Sequence, residues 1–276
     1  MKRLKLLLII LLVTIDGFCQ IKNIDKNLVL IRGYLYANTT NNSENILEDV
    51  IYKRESVYIF NYKYTDKNGK EFLFYINKDG SWDFIDVNQT NKNVVTNIKL
   101  KILKKDLHYK DPIHYQTGIT YTLDKNNLYS EMTGLIENSK NIWLHPPRLK
   151  LFSILELNPF PYVKFPLEIG KSWSWSLEIG GQWGDKRWKE WSGNIENKYQ
   201  YKIVGKKIIK TGVGSLECYV IESQAESELG ITKLISYFNE QYGFVKLDYT
   251  NIDNSKLEIN LQGKEIDMIN FFKNSL

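Results

Sequence analysis

Cysteine is nearly missing from this 276-residue chain: only Cys19 and Cys218 occur, so a framework of several disulfides is excluded. Histidine is as sparse, at three residues, and the six prolines leave most of the sequence free of that breaker. No long apolar run exists. The longest, Leu6 to Val13, falls far short of the roughly 20 residues that span a hydrocarbon layer, and Asp16 closes it off soon after. No transmembrane segment is therefore expected in the mature chain. Charge of one sign is not concentrated either. Lys and Arg are scattered among Asp and Glu rather than gathered into a footprint, which argues against a nucleic-acid partner.

The residues that are present begin with an address. Lys2, Arg3 and Lys5 precede the apolar run, and Gly17 and Cys19 come after it at the spacing of small residues that a signal peptidase prefers. The layout predicts a signal peptide over residues 1–19, cleavage after Cys19, and Gln20 as the mature amino terminus. Cleavage removes three basic side chains and one acidic one, so the net charge of +5 becomes +3. The expected location is periplasmic or extracellular. In the alternative, Cys19 is a lipid-bearing cysteine and the protein an outer-membrane lipoprotein, although the bulky Phe18 fits lipoprotein processing poorly. After cleavage only Cys218 remains. It reads as a small buried hydrophobe within Leu216 to Ile221.

The mature sequence has period-two patterning almost throughout, the signature of half-buried strands. Leu28 to Tyr36 opens the series. In Ser56 to Tyr64, the residues Tyr58, Phe60, Tyr62 and Tyr64 share one face, and Asn68-Gly69 supplies a hairpin turn before Phe72, Phe74 and Ile76. Ile98, Leu100 and Ile102 alternate with Lys99 and Lys101, while Ile119 to Leu123 and Leu128 to Ile136 flank Asn126-Asn127. Further hairpins are expected around Thr211 to Ser215 and Asn239 to Gly243, with a last strand at Leu257, Ile259 and Leu261.

One short central helix is predicted at about 147–157, opened by Pro146-Pro147, carrying Leu149, Leu151, Phe152, Ile154 and Leu155, and stopped by Asn158-Pro159. The proline-rich stretch Pro159 to Pro166 reads as an extended surface connection, because proline cannot donate to a central ladder. The fold class is mostly β: an antiparallel meander curling into a half-barrel or barrel-like sheet around that helix, since a long meander must protect its edges. Residues 20–145 form an amino-terminal β-rich half and residues 146–276 the helix plus a carboxy-terminal β-rich half, possible parts of one continuous domain.

Three segments carry a likeness: Phe165 to Trp173, Gly212 to Cys218, and Tyr237 to Leu247. Over residues 160–262 the chain resembles exported, Bacteroidetes-like bacterial β-sheet domains of unknown function. The resemblance implies the curved sheets of lipoprotein carriers and brings no catalytic residue.

Five of the seven tryptophans, Trp173, Trp175, Trp183, Trp188 and Trp191, fall within one short stretch. An indole has an apolar face for a ring or lipid and an N–H that wants an acceptor, so this cluster is the candidate ligand-binding site. Core or rim packing is the leading alternative, since Trp173 and Trp175 share a strand face and would fill the barrel interior. Glu178, Asp185 and Glu190 lie among them and would be the acids of a glycosidase. Other chemistry is poorly supplied: His108 and His114 near Asp106 and Asp111 match no zinc spacing, and Gly212 to Leu216 lacks the last glycine of a nucleophile elbow. No catalytic residue, metal or cofactor is expected. The sequence reads as an exported, non-catalytic envelope protein that binds a hydrophobic small molecule or a partner on a curved sheet. The alternatives are a structural component of the envelope docking other envelope proteins, and a glycan binder or glycosidase using the tryptophans.

Overall fold

The computed structural model describes residues 28–31, 34–37, 50–89, 93–103, 117–123 and 129–266. The leader with Cys19 and Gln20, and the segment holding Asp106, His108, Asp111 and His114, lie outside the described residues.

The alternating stretches are strands. Leu28–Ile31 (β1) and Tyr34–Ala37 (β2) pair with each other, and next come Ser56–Thr65 (β3), Glu71–Ile76 (β4), Trp82–Asp86 (β5), Ile98–Ile102 (β6), Thr117–Thr122 (β7), Ser130–Glu137 (β8) and Asn141–Leu144 (β9). After a 3-10 helix at Lys150–Leu157 (η1) come Tyr162–Lys164 (β10), Ser172–Gly180 (β11) and a single 3-10 turn at Gly181–Trp183 (η2). The chain continues with Asn194–Thr211 (β12), Gly214–Ser227 (β13), Gly230–Asn239 (β14), Gly243–Thr250 (β15) and Lys256–Ile266 (β16).

All strands after β2 join one antiparallel sheet in the order β10-β9-β8-β7-β6-β3-β16-β15-β14-β13-β12-β11, with β4 and β5 branching from β3. Most neighbours are successive hairpins, as short turns dictate. The exceptions are central and both involve β3: it pairs with β6 past the branch of β4 and β5, and with β16, Tyr62 opposite Ile259, so an early strand lies beside the last one. Register shifts at Ile203/Gly205, Tyr237/Phe238 and Leu261/Gly263 add residues on one side of a ladder and so increase local twist. The sheet curls without closing.

The inner face is aromatic. Tyr58 is fully buried, Phe60 and Tyr64 nearly so, and Phe152 of η1 packs edge-on against Phe74 at 5.0 Å and Tyr62 at 5.8 Å. Fully burying each such ring stabilises the fold by about 1.5–3 kcal/mol. Six of the eight residues of η1 are buried, and the sheet satisfies its end: Asn197 Nδ2 and Thr232 Oγ1 donate to the Leu157 carbonyl at 3.0 and 2.7 Å. Asn158 then donates from Nδ2 to Asn251 at 2.9 Å.

Three expectations change. The run from Leu28 to Tyr36 contains two strands that pair antiparallel, Ile31 opposite Tyr34, rather than one. The helix begins at Lys150, whose φ of 59° separates it from Pro146-Pro147, and it is of the tighter 3-10 type. The proline stretch does not run over the surface. Tyr162 and Val163 are fully buried, and β10 pairs only with β9, an edge position that tolerates nearby proline.

Candidate functional site

The tryptophan cluster divides at Gly180. Upstream, Trp173 and Trp175 project from β11 onto the inner face, at 8% and 4% exposure. Trp173 stacks on Tyr201 with ring centres 5.4 Å apart and planes 5° from parallel, and Trp175 stacks on Tyr199 at 4.6 Å. Their register on β12 dictates this, because Trp173 lies opposite Tyr201 and Trp175 opposite Tyr199. Tyr162 meets both indoles edge-on, at 5.9 and 6.3 Å, and Trp143 meets Trp175 at 6.4 Å. Rings carried by β9 and β10 thus pack against rings of β11 and β12. The two ends of the sheet are joined by side chains rather than by a ladder, and the space behind both indoles is occupied.

Downstream, Trp183, Trp188 and Trp191 are half-buried against the core. Trp191 Nε1 donates to the Ile179 carbonyl at 3.3 Å. Arg187 fixes the loop: its Nη1 donates to the Trp82 carbonyl at 2.8 Å, and its Nε and Nη2 clasp Asp185 at 2.9 and 2.5 Å. These hydrogen bonds hold the Asp185 carboxyl below the usual range. Asp185 is therefore committed to Arg187, while Glu190 is exposed and Glu178 lies on β11 opposite Glu196. Beside this loop a polar pocket of about 420 Å³ is lined by Asn77, Ser81, Trp82, Asp83, Lys186 and Glu190, among others.

A larger concavity, about 800 Å³, lies over β11 to β14. Two cross-strand rows line it. Ser172, Lys202, Glu222 and Ile235 form one, and Ser174, Gln200, Gln224 and Lys233 the other, each residue opposite the next in register. These side chains alternate with the buried Trp173, Tyr201, Ser223 and Leu234, so one strand pattern builds both the core and the trough. Trp173 also borders the trough, the one member of the predicted cluster that does.

The sequence reading missed a buried charged cluster behind η2. Glu156 of η1 is 2% exposed, with Oε1 at 3.5 Å from His145 Nε2 and 3.7 Å from Arg148 Nη1. Glu131 of β8 accepts the backbone N–H groups of Arg148 and Leu149 at 2.7 and 3.2 Å, and its Oε2 lies 3.8 Å from Arg148 Nε. Burial pushes the Glu156 carboxyl up to about 7 against the pull of Arg148, and also raises Glu131. Burial, helped by the Arg148 charge, drives His145 down to about 3. The guanidinium lies 5.2 Å from the Trp183 ring. A single acid inside the apolar run Leu151 to Leu157 was the available signal. His145 packs edge-on against Trp143 at 5.8 Å.

Burial also raises the Cys218 thiol to about 12, fitting an inert core cysteine. Among the described residues, no group of three or more His, Cys, Asp or Glu could hold a metal ion, and no helix is long and apolar enough to cross a membrane.

The fold defines a class: a curled, open, antiparallel sheet wrapped on a buried 3-10 helix. No family model and no curated protein matches the chain. Solved structures do. A Bacteroides fragilis protein described as an inferred exported protein with a YmcC-like fold aligns at 11% identity and a TM-score of 0.43, over 77% of this chain and 96% of its own. An inferred lipoprotein of Parabacteroides distasonis aligns at 8% identity and TM-score 0.43, over 80% and 99% of the two chains. The hypothetical lipoprotein YmcC of Escherichia coli aligns at 8% and 0.35, over 75% and 83%. At such scores these likenesses carry no argument about activity, and the fold rests on the chain's own strand pairing.

Proposed function

We propose that this chain is exported and acts in the cell envelope as a non-catalytic binding protein, taking a partner in the trough over β11 to β14. The observation that carries this reading is the trough itself, about 800 Å³ of concave surface lined by two ordered rows of Ser, Gln, Lys and Glu that include one apolar residue, Ile235. Filled space behind Trp173 and Trp175 turns attention from the interior to this outer face. Export is supported by the basic and apolar leader that ends at Cys19, and mass spectrometry of the mature amino terminus tests it. A chain beginning at Gln20 supports the soluble form, an acylated Cys19 the tethered form, and a retained Met1 contradicts both.

The trough is tested by a photo-crosslinking side chain placed at Gln200 or Gln224 in the producing cell. Both positions are expected to give the same dominant product, absent when the probe sits at the exposed turn residue Lys67. Equal labelling at all three positions, or none, contradicts the reading.

A second reading, a glycan binder, is favoured by the 420 Å³ polar pocket beside the half-buried indoles of the 181–193 loop. A glycan panel that shows saturable binding, lost in Trp188→Ala, supports it. Binding to no glycan removes it.

A further inference from the structure

Arg148 stands between a buried carboxylate, a partly buried one and an indole. Glu131 and Glu156 lie on one side of it, at 3.8 and 3.7 Å, and the Trp183 ring lies at 5.2 Å. We propose that Arg148 is a latch for the tryptophan loop: an ionised Glu156 holds the guanidinium inward beneath Trp183, and a protonated Glu156 releases it.

The two carboxylates are not equivalent. Glu131 accepts two backbone N–H groups, so it keeps its place whatever the Arg148 side chain does. Among the described residues, Glu156 Oε1 has no partner at hydrogen-bond distance, and the cation that faces it is Arg148 at 3.7 Å. Burial and the Arg148 charge keep His145 neutral, so it does not substitute as the cation. Its Nδ1 lies 2.7 Å from the Pro146 carbonyl, which only accepts, so the ring proton belongs on Nδ1. The neutral ring then presents a bare Nε2 to Glu156 Oε1 at 3.5 Å. Glu156 therefore has a partner for each state. Ionised, it faces Arg148; protonated, it has an acceptor in His145 and leaves the guanidinium with only Glu131 opposite.

The surroundings leave few competitors. From β7, Tyr121 donates its hydroxyl to the His145 carbonyl at 2.7 Å, and burial keeps it neutral. On η1 itself, the Lys150 ammonium lies over the Tyr129 ring at 5.9 Å. On β5, Asp86 pairs with Lys70 at 3.0 Å and Asp83 accepts the N–H of Phe84 at 2.8 Å. The turn η2 brings Trp183 and Gln182 but no charge. Among the described residues, no other charged group lies at ion-pairing distance from Glu156. With the carboxyl held up at about 7 by burial, the two states exchange near neutrality.

Fluorine NMR of the mature chain labelled with fluorotryptophan tests the latch, the Trp183 signal being assigned by its loss in Trp183→Phe. That signal is expected to shift with a midpoint near 7. The shift should vanish in Glu156→Gln and in Arg148→Met and persist in Lys186→Ala. A Trp183 signal that does not move across the neutral range overturns the proposal, as does one that moves unchanged in Arg148→Met. If circular dichroism shows that Glu156→Gln does not fold, the wild-type titration and the more exposed Arg148→Met site decide alone.

Discussion

The Trp175 indole donates to the Tyr201 hydroxyl at 3.1 Å, and that hydroxyl donates in turn to the Phe160 carbonyl at 3.0 Å. One phenol thereby satisfies a buried indole and ties β12 to the segment ahead of β10. Tyr201 is also the ring on which Trp173 stacks, so a single residue organises both indoles at the seam where the sheet ends meet.

Removing that hydroxyl strands two buried polar groups while leaving the ring in place. Tyr201→Phe is expected to lower stability by about 1–3 kcal/mol, read as the shift in urea midpoint. An unchanged midpoint would show that the relay contributes nothing.

Gly243 and Gly69 both have positive φ, at 75° and 85°. Around Gly69 nothing lies within 4 Å of an added Cβ, so Gly69→Ala should cost only the left-handed strain, about 1–2 kcal/mol. A Cβ at Gly243 would lie 2.3 Å from the Tyr52 hydroxyl, which accepts the Phe244 N–H at 2.9 Å. Gly243→Ala should therefore destabilise clearly more than Gly69→Ala in parallel melts. Equal losses would contradict the packing.

Glu156 and His145 oppose each other in pH dependence. Glu156, raised to about 7, holds its proton when folded after the unfolded chain has lost it, so its contribution to stability falls as pH rises from 4.5 to 7. His145, lowered to about 3, stays neutral when folded while the unfolded chain charges, so its contribution falls as pH drops from 6.5 to 3. Between 4.5 and 6.5 the two slopes cancel. Glu156→Gln removes one slope, and melting temperature should then climb steadily up to pH 6.5. A variant with the same profile as wild type would refute the assignment.

Much of this architecture was legible because alternation is local. The face shared by Tyr58, Phe60, Tyr62 and Tyr64, and the wet side of β6 at Lys99, come from period two alone. The pairing of β3 with β16 was not legible, since nothing short-range links Tyr62 to Ile259. For the tryptophans, residue type marked the region but not its partition: the division at Gly180 depends on where β11 stops, and Trp173 and Trp175 are buried by partners on β12. Glu156 was passed over because a lone acid in an apolar run gives no spacing motif, and its neighbours Glu131, His145 and Arg148 lie outside η1 in the sequence.

Partner binding in the outer trough is the central claim. Cross-linking from a probe at Gln200, repeated in a chain carrying Lys202→Glu and Lys233→Glu, tests it most directly. The dominant product is expected to disappear in that double variant and to survive Lys186→Glu, which lies at the other pocket. A product that survives reversal of both trough lysines would contradict the claim.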